Sequence, residues 1–157
     1  MMWVVRAGQS ACYFDKYVSE SKIFLPWDGY CTSLADCSEM AEFRSLVETE
    51  KCTHNRTTVS NWSSQLYAFS KEMNIGDYVL IPTKGSRSFL LGRISGAYCF
   101  DANDKDKLYH HRKMEIIRRD ISKETFPQNI IYSLGAFRTV FKVKQEEKIL
   151  SLLNDVV

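Results

Sequence analysis

Residues 61–100, NWSSQLYAFSKEMNIGDYVLIPTKGSRSFLLGRISGAYCF, constrain the fold more than any other stretch, because one amphipathic segment stops abruptly and feeds two apolar runs. Trp62, Leu66, Phe69 and Met73 recur at helical spacing on one face, with Ser60 or Asn61 placed to accept from the free amides of the first turn. Gly76 follows the last periodic residue, and a glycine there takes the left-handed conformation that ends a helix. Residues 78–83 read as a short buried strand and Lys84-Gly85-Ser86-Arg87 as a turn. The second run, residues 89–100, holds Gly92 and Gly96, where a strand bends, bulges or lets another group approach. The expected unit is helix, stop, strand, basic turn, bent strand.

The flanks follow by period and punctuation. Trp3-Val4-Val5-Arg6-Ala7-Gly8 reads as a buried strand opening into a turn, and Ser10 as the cap of a short helix with Ala11, Phe14, Tyr17 and Val18 on one side. Residues 23–25 resume as a strand that Pro26 stops, since proline donates no ladder hydrogen bond. Residues 32–51 are helical and acidic, 52–59 a loop, 101–107 a polar hairpin connection and 108–121 a strand. Residues 126–132 read as a loop, followed by a short helix with Leu134, Phe137 and Phe141 in its period, a strand at Val140 and a last helix over 145–156. This is an α+β pattern. Residues 1–143 form one domain, and residues 144–157 are a C-terminal helix or the start of a linker to a further domain.

Charge and cysteines narrow the function classes. Residues 1–77 carry seven Lys/Arg against ten Asp/Glu, whereas residues 78–157 carry fourteen against nine, so the second half is the basic one. Such clustering suits a phosphate-facing surface or a solvated face. The five cysteines are odd in number, form no CxxC pair and follow no signal-peptide pattern, which suggests free thiols in a reducing cytoplasm and no metal centre. No GxSxG elbow, P-loop or GxGxxG is present, and Glu146-Glu147-Lys148 matches a nuclease-like ExK only by letter, inside a helical tail. No complete catalytic set and no cofactor motif can be assembled. What the residues do offer is rings at Trp27, Tyr98 and Tyr109, backbone exposed at Gly8, Gly92 and Gly96, and bases at Arg6, Arg87, Arg93 and Arg112. Those are the types that read a base by stacking and hold its phosphates.

WVVRAG near the start, the IFLPWD turn, QLYAFSKEMNIGDYVLIP, SRSFLLGRISGAYCF and the following YHHRKMEII together resemble the N-terminal reader domain of Mrr-like restriction endonucleases. That domain is similar to the PUA-like superfamily with its EVE, YTH, ASCH and SRA members. The resemblance implies a small curved β-barrel of five to six strands with flanking helices, holding a modified base in an aromatic pocket. Arg6, Ala7, Gly8, Trp27 and Asp28 would form one wall and Pro82, Arg93, Tyr98, Tyr109 and His110 the other. Trp27 and Tyr98 would stack on the base and Asp28 would read its edge. Lys84, Arg87, Arg112, Lys113, Arg118 and Arg119 would contact phosphate.

The expectation is a binding domain rather than an enzyme: the specificity module of a restriction or phage-defence system. Its partners would be DNA carrying a modified base and a nuclease domain or subunit. An RNA reader, or a protein-interaction domain with its aromatics in the core, are the alternatives.

Overall fold

Two hydrophobic cores lie back to back across one sheet, because residues along its inner strands alternate between the faces. The computed structural model describes residues 1–154. β1 (Met2–Val5) leads into α1 (Phe14–Glu20), β2 (Lys22–Phe24), α2 (Met40–Lys51) and α3 (Arg56–Tyr67). β3 (Tyr78–Pro82), β4 (Ser88–Ile94), β5 (Cys99–Phe100) and β6 (His110–Ser122) follow, then α4 (Gln128–Leu134), β7 (Val140–Lys142) and α5 (Glu146–Asn154). The strand order is β2-β6-β4-β3-β1-β7, with β5 also paired to β6. β1 runs parallel to β3 and antiparallel to β7, and the remaining pairs are antiparallel. The fold is therefore α+β, a curled mixed sheet forming a half-barrel with helices on both faces. Six strands form the continuous path, within the five to six expected, and the break in residues 89–100 leaves the two-residue β5 beside β6 as an addition.

Trp3 and Val5 point into the first core with Val79, Ile81, Leu90 and Met114, under α2 and α3. Met2 and Val4 point into the second with Leu80, Leu91 and Ile121, where Ile130 and Leu134 of α4 and Ile149 and Leu153 of α5 close the face. Gly92 marks the bend: the register of β4 against β6 shifts there, and an added Cβ would lie 3.0 Å from Met114 Sδ and 3.2 Å from the Glu115 carbonyl. The close approach expected at Gly92 thus serves core packing rather than a ligand.

The helix expected over residues 61–73 starts earlier, at Arg56, with Asn55 rather than Ser60 or Asn61 as its cap: Thr58 N–H donates to Asn55 Oδ1 at 3.0 Å. It closes through a wide π-type turn, Ala68–Glu72, before the left-handed Gly76. Widening a turn leaves carbonyls without helical partners. Arg112 reaches them from β6: Nη1 donates to Phe69 O at 3.2 Å and Met73 O at 2.8 Å, and Nε donates to Gly96 O at 3.2 Å. Arg112 is only 4% exposed, so its expected contact with phosphate is corrected: it is an internal brace. Asp77 ties the same corner to β1 by accepting from Trp3 Nε1 and Asn74 N–H, each at 3.0 Å, and from the N-terminal ammonium at 3.1 Å. Burial alone would raise the Asp77 pKa, but these donors outweigh it and hold the carboxyl below its ordinary value.

Residues 126–132 contain most of α4 rather than a loop, and Ser10 caps no helix with its side chain. Residues 155 and 156 of the expected last helix lie outside the described residues.

Candidate nucleic-acid interface

Four residues expected in one pocket do meet. Arg6, Ala7, Gly8 and Pro82 line a cavity of about 200 Å³, with the exposed Lys84 and Arg87 at its flanking turn. The rings expected to complete it are elsewhere. His110 Nε2 lies 2.6 Å from the Tyr30 carbonyl, which can only accept, so Nε2 carries the proton and Nδ1 accepts from Tyr98 O–H at 2.6 Å. Tyr98 Oη in turn accepts from Leu34 N–H at 2.9 Å. Trp27 donates its indole N–H to Thr139 Oγ1 at 3.0 Å and packs 5.8 Å from the Tyr30 ring. The buried Tyr30 and His110 thus fill the space between Trp27 and Tyr98, and no base slides between those two rings.

The other expected contacts disperse. Arg93 folds back over the Tyr78 ring at 4.6 Å and donates to its hydroxyl at 2.6 Å. Tyr109 packs on Phe100 at 5.9 Å, and Asp28 is exposed. Lys113 and Arg119 are exposed on β6, while Arg118 donates to Leu153 O at 3.2 Å.

The His110 network predicts an acid response. Burial, with a smaller push from His111, lowers the His110 pKa against the opposing bond to Tyr30, and burial likewise lowers that of His111. Both are then neutral when folded, while the unfolded chain takes up protons near the ordinary histidine value of about 6.5. Their stability contribution is complete above that value and is lost as pH falls below it. Thermal melts between pH 7.5 and 5.5 are expected to show this loss, and His110→Gln is expected to flatten the slope.

A different surface gathers ring, cation and hydroxyl groups. Segment 134–140, between α4 and β7, is held by three side chains. Arg6 donates from Nε to Arg138 O at 3.1 Å and from Nη2 to Ala136 O at 3.0 Å and Leu134 O at 3.3 Å. Gln65 on α3 is buried, and its Oε1 accepts from Thr139 N–H at 2.9 Å and Val140 N–H at 3.0 Å. Trp27 holds Thr139 from below. Held in this way, the segment displays Phe137, fully exposed, beside the exposed Arg138; Tyr132, 76% exposed, stands on α4 just before it.

Two continuous hollows run along this segment, about 680 Å³ and 600 Å³, sharing Ser64, Ala136 and Arg138. Arg56, Trp62 and Phe137 line the first, and Tyr132, Lys142 and Lys144 the second. Among the described residues Glu72 is the one acid in their lining, and Lys142 Nζ pairs with it at 3.1 Å. The surface is cationic.

Arg6 and Trp27 were expected to touch a base; here they fix the segment that carries the exposed ring. Gln65, Phe137 and Arg138 were missed as site residues. Phe137 fitted a helical period with Leu134 and Phe141, yet Gly135 ends α4 and Phe137 turns outward. Gln65→Leu would leave the amides of Thr139 and Val140 unpaired and is expected to cost about 2 kcal/mol or more, read by chemical denaturation.

The architecture defines a small α+β domain with helices on both sheet faces. The chain belongs to the family described as Domain of unknown function (DUF8426), which it matches over residues 3–143. No curated protein matches it significantly. The NMR structure of Rpa0253 from Rhodopseudomonas palustris, a structural-genomics target, aligns over 97% of this chain and 90% of that one, with a TM-score of 0.47 and 13% identity. Among the described residues, no helix is long and apolar enough to cross a membrane, and no group of three or more His, Cys, Asp or Glu is placed to hold a metal ion.

Proposed function

We propose that this chain is a cytoplasmic nucleic-acid reader that binds DNA carrying a modified base and serves as the specificity module of a restriction or phage-defence system, with cleavage supplied by a separate nuclease domain or subunit. The observation that carries the binding part is the fully exposed Phe137 on a segment held by Arg6, Trp27 and Gln65, beside Arg138 and over a cationic groove. A phenyl ring left in water contributes nothing to the fold. On a fixed support, with cations and hydroxyls alongside, it has the chemistry of a stacking platform for an unpaired base whose phosphates lie along the groove. The preference for a modified base, and for DNA, rests on the resemblance of the WVVRAG, IFLPWD and GRISGAY stretches to PUA-like readers. The five free cysteines agree with a reducing compartment.

The test is a fluorescence-anisotropy titration at two salt concentrations. It uses matched duplex and single-stranded DNA with cytosine, 5-methylcytosine, hydroxymethylcytosine, adenine or N6-methyladenine, and an RNA of the same sequence. Tighter binding of one modified DNA supports the reading. Preference for RNA replaces DNA as the ligand, and no binding of any oligonucleotide at low salt removes nucleic acid altogether.

A further inference from the structure

The 200 Å³ cavity at the end of β1 carries a second message. It is built from two turns that pack on each other. On one side the chain leaves β1 through Gly8 at φ 82°, ψ −178°, a conformation essentially confined to glycine, and passes through left-handed Ser10 and Ala11. On the other, Gly85 and Ser86 of the β3–β4 turn are also left-handed. Left-handed residues set among right-handed or extended neighbours turn successive amides to one side, and such concavities hold anions. Several of these amides are free: among the described residues, no carbonyl or side chain accepts from the N–H of Gly8, Ser10 or Gly85. The hydroxyls of Ser10 and Ser86 add further donors. Among the described residues no carboxylate lines the cavity, and the exposed Lys84 and Arg87 flank Gly85 and Ser86. A Cβ on Gly8 would lie 2.7 Å from the Tyr13 ring and 2.9 Å from Cys12 Sγ, so the first turn admits no other residue without moving.

We infer that this cavity is an oxyanion site that takes one phosphate group. Its volume falls below the roughly 300–1,000 Å³ typical of pockets for larger organic ligands. Its lining of amides and hydroxyls, with two cations on the flanking turn, suits a tetrahedral oxyanion rather than a stacked ring. The assignment stands without the groove reading, although Arg6 connects the two places: it lines this cavity while its guanidinium holds the segment bearing Phe137.

The test uses Ser10, whose left-handed backbone Asp and Asn both tolerate well. Ser10→Asp places a negative charge at the cavity, and Ser10→Asn is its neutral match. Backbone amide NMR shifts are followed while sodium phosphate is added against sodium chloride at equal ionic strength. Saturable shifts at Gly8, Ser10 and Gly85 with phosphate alone are expected, with affinity roughly tenfold weaker or worse in Ser10→Asp and retained in Ser10→Asn. Equal shifts with chloride, no saturation, or equal behaviour of the two variants would overturn the assignment. Competition by a 5′-phosphorylated oligonucleotide but not by a mononucleotide would assign the phosphate to a strand, and the reverse to a free nucleotide. Shifts at Phe137 and Arg138 in the same spectra report the groove separately, so either reading can fail alone.

Discussion

Phe137→Ala combined with Arg138→Ala is expected to abolish measurable nucleic-acid binding while leaving the melting temperature unchanged. Phe137 is fully exposed, so its truncation removes no core contact. Arg138 is exposed, and the contact it makes to Arg6 uses its backbone carbonyl, which alanine keeps. The loss therefore falls on the ligand. A base stacked on an aromatic ring contributes about 1–3 kcal/mol, so Phe137→Ala alone should weaken binding roughly five- to a hundredfold. Arg138→Ala should also lower the slope of log affinity against log salt, because one fewer cation releases counterions. Anisotropy titrations at several salt concentrations, with circular-dichroism melts, read both. Unchanged affinity in the double variant removes the groove as the binding surface.

The second large effect is on stability. Arg112→Ala should destabilise the fold by about 3 kcal/mol or more, since it strands the carbonyls of Gly96, Phe69 and Met73 and opens space beside the first core. For a chain of this size that corresponds to a fall of roughly 6–12 °C in Tm. Arg112→Lys should recover only part of the loss, because one ammonium cannot fork between carbonyls on two sides as a guanidinium does. Among molecules that remain folded, the salt dependence of nucleic-acid binding should be that of the unaltered protein. A changed salt slope with an unchanged Tm would mean that Arg112 meets phosphate after all.

Arg112 and Arg6 show what could be read from the chain and what could not. The strands at residues 78–82 and 140–142, the helix through Trp62 and Leu66, and the glycine that ends its turn followed from period and punctuation, since those depend on neighbours in sequence. The destinations of charged side chains do not. Arg112 looked like a surface cation, yet His110, Arg112 and Met114 alternate onto one face of β6 and all three are buried, as is Leu108 just before the strand. That signal was present: an arginine in register with a leucine and a methionine. Two of its three acceptors, Phe69 O and Met73 O, were not foreseeable, because they belong to a π-type turn and its cap some forty residues earlier that periodicity does not reveal. Arg6 and Trp27 were legible as important and illegible in role. Their partners lie more than a hundred residues along the chain, in a segment whose own pattern suited helix and strand equally.

The strand order has a bearing on biosynthesis. Of the described strands, β1 is made before all the others and β7 after them, yet β1 ends up between β3 and β7. Until residues 140–142 emerge, the edge of β1 opposite β3 lacks its partner, so the nascent chain carries an open apolar strand edge even after β3 has paired. Recovery of folded protein should thus depend on synthesis rate and chaperone supply more than for a sheet whose strands pair in the order they are made.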